Sequence, residues 1–501
     1  MVFTVKTNAH TADKITFEEL RSKSYGFSNA LRFLGAKKGD IVIVCLENCY
    51  HYAIIFLGSA LIGCSISDEL QRVQELTNAK FLILSSRNYH IAVDFIQICQ
   101  VIILNRQYGQ IGNDFDDLIN KWQKYNFTES NKIAIDLGDV LLTPFSSGTS
   151  GLPKCVQLTH LNFNTSTAIL KKALFDKLSG DNCRSTVGIL PFYHSSGFWA
   201  LCYCLLEGHH TVIITHFHLA LMLKCIEEYK VDTLNLVPAI IESLCQDDID
   251  VKRWNLSSLK TVLCGSAPLG KELIKRFLRK FPHVQNLIQG YGMTETVVLS
   301  HVTPLDRSFN DEDHVGSCGK LLPNFEAKLL DEKTGAILSE AFQVGELLLR
   351  SNAIMKGYLN SEEETRKVFD SDNWLHTGDM MYFDSDGYYF IVDRKKDLIK
   401  MNGMQVSPSE LEDVLKSHEN VKDAAVIGIP NADHGQVPKA FVVLVNDEGS
   451  EGQLQVLMKY LKDRVAPHKY LRGGIEFVQS LPKLPNGKTS RKDLIHLLSE
   501  S

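Results

Sequence analysis

Six hydroxyl or glycine residues followed by a lysine form the segment of this sequence whose chemistry best suits a bound phosphate. The segment follows the apolar run 140–142 and comprises Ser146, Ser147, Gly148, Thr149, Ser150, Gly151 and Lys154. Backbone amides without side-chain cover, hydroxyl groups and a cation are the groups that bind polyphosphates. A Walker A loop requires Gly-x4-Gly-Lys-Ser/Thr and is excluded, because only two residues separate Gly148 from Gly151. A flexible surface loop is the alternative.

Further clusters of polar residues and glycines follow predicted strands, where α/β sheets usually bind ligands. They cover residues 191–197 around His194, 265–270 with Ser266, 289–295, 374–379 and 484–488. Considered alone, each cluster has a structural explanation. Acidic residues beside glycine, such as Glu295 and Asp379, are typical of turns, and a single lysine such as Lys488 is most often solvated. On its own, His194 likewise indicates a structural histidine.

Alternation of apolar runs with amphipathic patterns predicts an α/β architecture. The runs at 41–44, 81–84, 211–214 and 261–263 predict buried strands. Capping boxes at Thr16, Ser361 and Ser407 predict helix starts, the last with Pro408 at the first helical position. Strands and helices that alternate over several hundred residues indicate largely parallel sheets.

A chain of 501 residues is too long for one ordinary core. The charged run at 393–397 separates two apolar segments and precedes about a hundred residues with an α+β pattern, enough for a small domain. We therefore expect a large N-terminal domain of layered, mostly parallel sheets with helices at 1–394. A small α+β C-terminal domain at 395–501 would be joined to it by a hinge.

Composition narrows the class of partner and the location. The net charge of −6 shows no excess of positive charge of the kind that binds nucleic acid or an anionic membrane. Twelve cysteines without a Cys-x-x-Cys pair indicate reduced thiols. The charge-poor stretches 49–67 and 186–223 contain His, Gly and Ser, which favours buried core over transmembrane segments. With no signal peptide and no terminal Ser-Lys-Leu, we expect a cytoplasmic location.

The order of the polar clusters resembles that of the adenylate-forming superfamily, which includes acyl-CoA synthetases, 4-coumarate-CoA ligases and beetle luciferases. The matching motifs are Ser-Ser-Gly-Thr-Ser-Gly-Leu-Pro-Lys, Gly-Tyr-Gly-Met-Thr-Glu, Thr-Gly-Asp, Asp-Arg-x-Lys and a late Asn-Gly-Lys, from about Thr16 to Leu498. The resemblance implies an ATP-dependent acid–CoA ligase. Such an enzyme activates a fatty or aryl acid as acyl-AMP, releases pyrophosphate and transfers the acyl group to CoA. ATP, Mg²⁺ and CoA are therefore the expected cofactors, and family analogy offers the peroxisome as an alternative location.

The resemblance assigns most of the polar clusters to the nucleotide. The expected ATP-binding residues are Ser146, Ser147, Gly148, Thr149, Ser150, Lys154, Gln289, Gly290, Tyr291, Thr294, Asp379, Arg394 and Lys488. Tyr291 would stack on adenine, and Asp379 and Arg394 would hold the ribose end. Glu295 would bind Mg²⁺, a hard cation that suits a carboxylate and phosphate oxygens. The expected catalytic residues are Lys488, His194, Thr294 and Glu295. Lys488, Thr294 and Glu295 would meet the negative charge that develops on the phosphates, and His194 would act as a gate or orienter beside the acyl carbonyl.

The same resemblance assigns the acid, the hinge and CoA. The expected acyl-binding residues are His194, Phe198, Ser266 and Gly290, in an apolar pocket that suits an aryl or medium-to-long aliphatic acid. Lys396 is the expected hinge residue between the two half-reactions. The expected CoA residues are Lys400, Asn402, Gly403 and Gln405. No aspartate stands at 191–193, which disfavours an amino-acid substrate, and no carrier domain follows Lys488, which favours CoA.

The sequence departs from the family pattern at several positions. Cys155 replaces a usual glycine, Asn402 and His216 replace frequent lysines, and roughly ten residues are missing near 64–70 on motif spacing. Two alternatives to a CoA ligase follow. A luciferase-like oxygenase is suggested by the segment 471–474, and a non-catalytic nucleotide-binding relative is suggested by the short segment near residue 67.

Overall fold

The computed structural model describes most of the chain. The described residues are 4–7, 13–67, 76–77, 79–95, 99–125, 133–146, 154–178, 184–246, 249–267, 269–305, 314–402, 404–431, 433–445, 450–483, 489–491 and 493–495. The chain divides into two compact units. The first comprises Met1–Ser266, Phe277–Glu326 and Arg350–Leu375, and the second comprises Ala267–Arg276, Ala327–Leu349 and His376–Ser501. The domain boundary at residues 394 and 395 stays a prediction.

The described residues form helices and strands in alternation through much of the chain. The α-helices are α1 Phe17–Phe33, α2 His51–Ala60, α3 Phe115–Trp122, α4 His160–Leu170, α5 Asp176–Leu178, α6 Ser195–Glu207, α7 Leu219–Tyr229, α8 Pro238–Cys245, α9 Lys271–Lys280, α10 Glu362–Val368, α11 Pro408–Lys416 and α12 Ser450–Lys462. A π-helical turn, Lys171–Phe175, joins α4 to α5, and 3₁₀ turns cover Ser86–Phe95, Val251–Arg253, Thr294–Thr296 and Pro467–Lys469.

The strands are numbered in chain order. They are β1 Thr4–Thr7, β2 Lys14–Thr16, β3 Ile41–Cys45, β4 Ser65–Ser67, β5 Phe81–Ser85, β6 Gln100–Leu104, β7 Asn113–Asp114, β8 Val140–Leu142, β9 Phe145–Ser146, β10 Lys154–Thr159, β11 Ser185–Gly188, β12 His210–Ile213, β13 Thr233–Leu236, β14 Thr261–Cys264, β15 Asn286–Tyr291, β16 His301–Val302, β17 Lys320–Leu321, β18 Glu326–Leu330, β19 Ile337–Leu338, β20 Gly345–Arg350, β21 Gly357–Tyr358, β22 Leu375–Phe383, β23 Tyr389–Arg394, β24 Ile399–Met401, β25 Met404–Val406, β26 Val421–Asn431, β27 Gly435–Leu444 and β28 Ile475–Phe477.

The first sheet has the order β17-β16-β15-β14-β13-β11-β12-β1-β2 among the described residues. Its central strands, from β15 through β14, β13 and β11 to β12, pair in parallel. Their inner residues are apolar and buried, including Val187, Leu234 and Val262. Strands that are covered by helices on both faces have continuous apolar sequences. The apolar runs at 211–214 and 261–263 are confirmed as β12 and β14.

The second sheet has the order β21-β10-β8-β4-β3-β5-β6-β7, with β9 paired to β10. The runs predicted at 41–44 and 81–84 are confirmed as its adjacent parallel strands β3 and β5. The short segment near residue 67 leaves this sheet continuous, because β4 pairs in parallel with β3 and with β8. The Ser67 hydroxyl also donates to the Thr143 carbonyl at 2.7 Å. The residues just beyond, 68–75, lie outside the described part of the chain.

The described residues of the second unit form two smaller sheets. One has the order β19-β18-β20-β22-β23, and the other has the order β25-β24-β27-β26 with β28 beside β27. The latter packs against α11 and α12 around a core that includes Val406, Leu411, Val426, Val442 and Leu457. A mixed α/β chain with layered, mostly parallel sheets and a smaller C-terminal α+β part is therefore confirmed.

Two of the three predicted helix starts have the expected side-chain cap. Thr16 and Glu19 form a reciprocal capping box, and the Ser407 side chain accepts from the Glu410 amide ahead of Pro408. The capping box at Ser361 is wrong. Ser361 precedes α10 but its side chain makes no capping hydrogen bond, and its φ of −139° and ψ of 60° lie outside the usual cap conformation. The Glu364 carboxylate, which would complete the box, instead forms an ion pair with Lys154.

Two expectations from composition concern the thiols and the charge-poor stretches. The cysteines within the described ranges form no disulfide bonds. In the described part of the chain, the helices are too short or too polar to span a bilayer.

Candidate functional site

Three of the predicted polar clusters begin at one edge of the first sheet. The parallel strands β11, β14 and β15 end at Gly188, Cys264 and Tyr291, just before the turns that contain His194, Ser266 and Glu295. Because neighbouring parallel strands share their carboxyl edge, these turns are brought to the same side of the sheet. The strand ends thus place three of the predicted clusters at one edge of the sheet, and their binding roles stay predictions.

Glu295 is a buried carboxylate held by residues outside the predicted motifs. It lies in the 3₁₀ turn Thr294–Thr296, with 4% of its surface exposed. The Tyr358 hydroxyl donates to Glu295 Oε1 at 3.0 Å, and the Met355 amide donates to the Glu295 carbonyl at 2.8 Å. Burial and the neighbouring Glu295 raise the pKa of Tyr358 well above its ordinary value, so the hydroxyl remains a donor. The predicted residue Thr294 begins this turn, and its carbonyl accepts from Val297.

The backbone around this turn is strained and tightly packed. Val297 has φ 65° and ψ −58°, and the Val298 amide donates to the Thr296 carbonyl at 2.8 Å, which defines a γ-turn centred on a β-branched residue. A Cβ at Gly292 would lie 1.9 Å from the Val298 carbonyl oxygen, so only glycine fits there. Strain of this kind concentrates at ligand sites, where the surrounding structure must hold it.

Lys154 begins β10 and already has an anionic partner. Its Nζ lies 2.5 Å from Glu364 Oε2 and 4.9 Å from the centroid of the Tyr358 ring. Tyr358 thus contacts both Lys154 and Glu295, which brings the predicted phosphate lysine and the predicted metal carboxylate together. Ser146 Oγ, at the start of the phosphate loop, is buried and has no hydrogen-bond partner among the residues that the structure describes. The residues Ser147, Gly148, Thr149 and Ser150 lie outside the described residues.

These groups fit a polyphosphate with Mg²⁺. The described residues contain no cluster of three metal-ligating side chains, which is compatible with Mg²⁺ because that ion typically takes one or two carboxylates together with phosphate oxygens. Glu295 can supply the carboxylate, Lys154 the cation, and the unsatisfied Ser146 hydroxyl a donor. When bound, the metal would neutralise phosphate charge.

His194 has a structural role that uses one ring nitrogen. It is the N-cap of α6, where Nδ1 accepts from the Ser196 amide at 3.4 Å and lies 3.0 Å from Ser196 Oγ. A Cβ at Gly197 would lie 2.2 Å from the Pro191 carbonyl oxygen, so glycine lets the helix approach the turn before it. The acyl-binding role of His194 stays a prediction.

The turn that carries His194 is held by Asn48. Asn48 Nδ2 donates to the Leu190 carbonyl at 2.9 Å, and the Phe192 amide donates to Asn48 Oδ1 at 2.8 Å. Asn48 is buried and stands 144 positions before Phe192, so no local pattern could have assigned it this role.

An apolar cavity of about 40 Å³ adjoins these turns. His194, Phe198, Trp199, Pro144 and Val297 are among its lining residues, most of which are apolar. Pro144 shortly precedes the phosphate loop, and Val297 follows Glu295 by two residues. The cavity therefore lies beside both predicted phosphate elements.

Two of the predicted acyl-binding residues, Ser266 and Gly290, are not in this lining. Ser266 has φ 71°, a conformation uncommon for serine, directly after β14. Gly290 is half-buried on β15, where an added Cβ would meet the Leu299 side chain at 2.7 Å. Small size at Gly290 is therefore required by packing.

The predicted adenine residues lie along the end of β15. The Gln289 amide donates to Thr303 Oγ1 at 3.1 Å. The Tyr291 ring is buried, and its centroid lies 5.6 Å from that of the His301 imidazole. Burial lowers the pKa of His301 to about 3, so a neutral ring packs beside Tyr291.

Asp379 and Arg394 form an ion pair within the second unit. They are register partners on the antiparallel strands β22 and β23, and Arg394 Nε lies 2.6 Å from Asp379 Oδ1. The Asp379 side chain is 3% exposed and the Arg394 side chain is 33% exposed. Thr377 Oγ1 accepts from the Asp379 amide at 3.1 Å, which further fixes the backbone beside the carboxylate.

The predicted hinge and CoA residues also belong to the second unit. Lys396 and Lys400 are exposed, and Lys400 and Gln405 face each other in the β24–β25 hairpin. Asn402 begins the hairpin turn with φ 51°, a left-handed conformation that asparagine tolerates better than lysine. This conformation gives a backbone reason for the departure at Asn402. Gly403 and the predicted catalytic Lys488 lie outside the described residues.

The structure also describes the contacts of Cys155 and His216, the other two departures from the family pattern. Cys155 is a buried residue of β10, and its Sγ lies 3.6 Å from the carbonyl oxygen of Thr143, the residue that follows β8. His216 is exposed, and the Arg87 guanidinium Nη1 lies 3.4 Å from its Nε2. An arginine therefore supplies a cation beside the position where a lysine was expected.

Comparison with protein families matches both parts of the chain. The AMP-binding enzyme family matches residues 2–359, and the AMP-binding enzyme C-terminal domain matches residues 410–488.

Individual relatives match over nearly the full length. A 4-coumarate-CoA ligase from Narcissus pseudonarcissus is 33% identical over 97% of this chain and 89% of the relative. A luciferin 4-monooxygenase from Luciola mingrelica is 32% identical over 99% of this chain and 91% of the relative. Among solved structures, o-succinylbenzoate coenzyme A synthetase from Bacillus subtilis, in complex with ATP and magnesium ion, superposes with a TM-score of 0.82 and 26% identity. That superposition covers 98% of this chain and 96% of the other.

Proposed function

The chain belongs to the AMP-binding enzyme family of adenylate-forming ligases, and from that premise we propose that it is an ATP-dependent acid–CoA ligase. The acid carboxylate attacks the α-phosphate of ATP and pyrophosphate leaves. The thiol of CoA then attacks the acyl carbonyl of acyl-AMP, which releases AMP and leaves a thioester. CoA as the acceptor and the individual residue roles are parts of this proposal.

The observation that carries the proposal is the apolar cavity beside the phosphate elements. Pro144 and Val297 line the cavity and lie close in sequence to Ser146 and Glu295 respectively. An enzyme that adenylates an apolar acid needs such a neighbouring pair of surfaces, one that excludes water and one that meets phosphate charge. Lys154 and Glu295, joined through Tyr358, provide the second surface.

The substrate proposed is a monocarboxylic acid with an uncharged apolar tail. The cavity has too few polar groups to stabilise a second carboxylate or an ammonium group at the buried end of the acid. Its volume of about 40 Å³ holds only a small part of an acyl chain or ring. The remainder of the acid would lie nearer to Ser266 and Gly290.

The luciferase-like alternative loses part of its sequence support. In the segment 471–474, Leu471 is a core residue, and an added Cβ at Gly473 would lie 2.9 Å from the Pro438 carbonyl oxygen. The Gly474 carbonyl accepts from the Ala440 amide at 3.0 Å. These contacts explain the segment as a packed turn of the second unit, whichever reaction the chain performs.

A substrate screen tests the proposal. Pyrophosphate release and thioester formation are measured over acids graded in chain length and aromaticity, with and without CoA, and with Glu295→Gln as the inactive control. We expect acid-dependent pyrophosphate release and a CoA thioester, with dicarboxylic and amino acids among the poorest substrates. Light emission with luciferin and oxygen but no thioester would favour the oxygenase, and no acid-dependent release would favour a non-catalytic relative.

A further inference from the structure

Glu364 lies outside every motif that predicted the site, yet it forms an ion pair with Lys154, the lysine predicted to bind phosphate. It stands in the first turn of α10, and its Oε2 lies 2.5 Å from Lys154 Nζ. The two side chains are 18% and 33% exposed for Lys154 and Glu364, so a ligand can reach the pair from solvent. A lysine paired in this way is not fully available to a phosphate.

The carboxylate of Glu364 has a second cation on its other oxygen. Lys367 Nζ lies 2.7 Å from Glu364 Oε1, and it also lies 2.9 Å from Glu363 Oε1. Lys154 can therefore leave Glu364 without leaving that carboxylate unpaired. Hydrogen bonds from Lys154 and Lys367 lower the pKa of Glu364 to about 2, so it remains charged at neutral pH.

Lys154 would stay near the metal carboxylate after it leaves Glu364. Its ammonium group lies over the ring of Tyr358, whose hydroxyl donates to Glu295. A polyphosphate bound to Mg²⁺ at Glu295 would therefore compete with Glu364 for the same cation. The competition is between two anions for one lysine.

We propose that Glu364 is a competing counter-ion that holds Lys154 while the polyphosphate site is empty and takes it back as pyrophosphate leaves. This inference rests on the proposed function, because it takes Lys154 as a phosphate ligand. Glu364 is a positioning residue, since it acts through Lys154 and does not touch the reacting atoms. Its effect is to weaken nucleotide binding and to speed release of pyrophosphate.

Equilibrium binding of MgATP and of magnesium pyrophosphate, measured by calorimetry without acid, tests the inference. Glu364→Gln should bind both ligands about two- to fivefold more tightly, the range expected for a partly exposed ion pair. Glu363→Gln is the matched control, because Glu363 pairs with Lys367 but shows no contact with Lys154 among the described residues. It should leave both affinities unchanged, and Glu364→Asp should lie between wild type and Glu364→Gln.

A second pair of variants isolates the lysine. Lys154→Met should weaken binding of both ligands, and Glu364→Gln should have no further effect in the Lys154→Met background. Unchanged or weaker binding by Glu364→Gln alone would overturn the inference, and weaker binding would instead indicate a ligand for Mg²⁺. An equal effect of Glu363→Gln, or an effect that persists without Lys154, would also overturn it, because each indicates general surface charge.

Failure of the proposed function has a separate signature. Suppose that the wild type binds MgATP and Glu364→Gln binds it more tightly, but no acid stimulates pyrophosphate release. The counter-ion role is then supported, and the proposed ligase function is contradicted. If acid-dependent pyrophosphate release occurs and the wild type and Glu364→Gln bind MgATP equally well, the ligase function is supported and the counter-ion role is contradicted. A wild type that binds no ATP would overturn both.

Discussion

The Lys154–Glu364 pair of the first unit, proposed to lie at the phosphate site, and the Asp379–Arg394 pair of the second unit hold their charges in different ways. Asp379 and Arg394 are register partners on adjacent strands, so the sheet holds their backbones side by side, and Arg394 Nε lies 2.6 Å from Asp379 Oδ1. Lys154 is paired with Glu364, which belongs to a helix far along the chain and is partly exposed. The first pair is fixed by the backbone ladder, whereas the second depends on two flexible side chains.

This difference matches what each pair is proposed to bind. A ribose is neutral, and its hydroxyl groups can donate to a carboxylate that already has a cation beside it. A polyphosphate is strongly anionic and needs the cation itself, so the counter-ion of that cation has to give way. Preorganisation thus suits the proposed ribose site, and a displaceable partner suits the proposed phosphate site. Substitutions at Asp379, Tyr358, Glu346 and His194, each with a control, test this difference.

Replacement of the preorganised carboxylate should have the largest effect. Asp379→Ala removes a buried acceptor proposed to bind two ribose hydroxyl groups, and hydrogen bonds to a charged group contribute about 1.5–3 kcal/mol each. We expect kcat/KM for ATP to fall by about 10²-fold in acid-dependent pyrophosphate exchange. Asp384→Asn is the control, because Asp384 is also buried and accepts from the Asp386 and Tyr388 amides directly after the same strand.

The control should lower thermal stability without a selective loss in kcat/KM for ATP. If Asp384→Asn and Asp379→Ala reduce kcat/KM to the same extent, the effect of Asp379 is on folding and the ribose role is wrong.

Tyr358 links the two charges of the phosphate site, and its hydroxyl should matter next. Tyr358→Phe keeps the ring beneath Lys154 but removes the donor to Glu295. Loss of a group that orients a metal ligand typically lowers metal affinity by 10–100-fold, and we expect about tenfold. The measurement is the Mg²⁺ concentration for half-maximal pyrophosphate exchange, with Tyr382→Phe as a control in the second unit. An unchanged Mg²⁺ requirement would mean that Glu295 does not hold the metal.

The sequence predicted the strands of this fold better than it predicted the contacts of the site. The runs at 41–44, 81–84 and 261–263 are largely buried, and a continuous apolar sequence is the local signal of a buried strand. Polar contacts over long sequence distances have no such local signal. Asn48 and Tyr358 hold their partners through single side chains, and nothing in their neighbouring residues indicates those partners.

The error at Ser361 has the same origin. The pattern Ser-x-x-Glu predicts a capping box from local residues only, but Glu364 contacts a lysine on β10. A tertiary ion pair therefore overrides a local motif. The same holds for Asn402, where the resemblance drew attention to a missing lysine but the turn conformation explains the asparagine.

A second carboxylate of the second unit tests whether fixed pairs also stabilise the fold. Glu346 is buried, and it contacts His376 at 3.4 Å and Lys395 at 3.0 Å. Burial acts to raise the pKa of Glu346, but hydrogen bonds from His376 and Lys395 outweigh burial and lower it. A lowered folded-state pKa gives stability above the unfolded pKa of about 4.3, and that stability is lost as pH falls through the folded value.

Glu346→Gln should therefore lose about 1 kcal/mol of unfolding free energy at pH 7, measured by urea denaturation. The difference from wild type should shrink as the pH falls below about 4. Glu326→Gln is the control, because Glu326 forms an exposed ion pair with Arg350. Loss of that pair should lower the unfolding free energy by less than Glu346→Gln does. A difference between wild type and Glu346→Gln that is constant with pH would contradict the charge-based explanation.

His194 should give the smallest effect, and two variants separate its two roles. Asparagine is a good N-cap, so His194→Asn should keep α6 capped while it removes Nε2. We expect kcat/KM for the acid to fall by about threefold, the loss of one ordinary hydrogen bond, with unfolding free energy unchanged. His194→Ala should show the same kinetic loss and an additional loss of about 0.5 kcal/mol in unfolding free energy. Full activity in His194→Asn would leave His194 as a helix cap only.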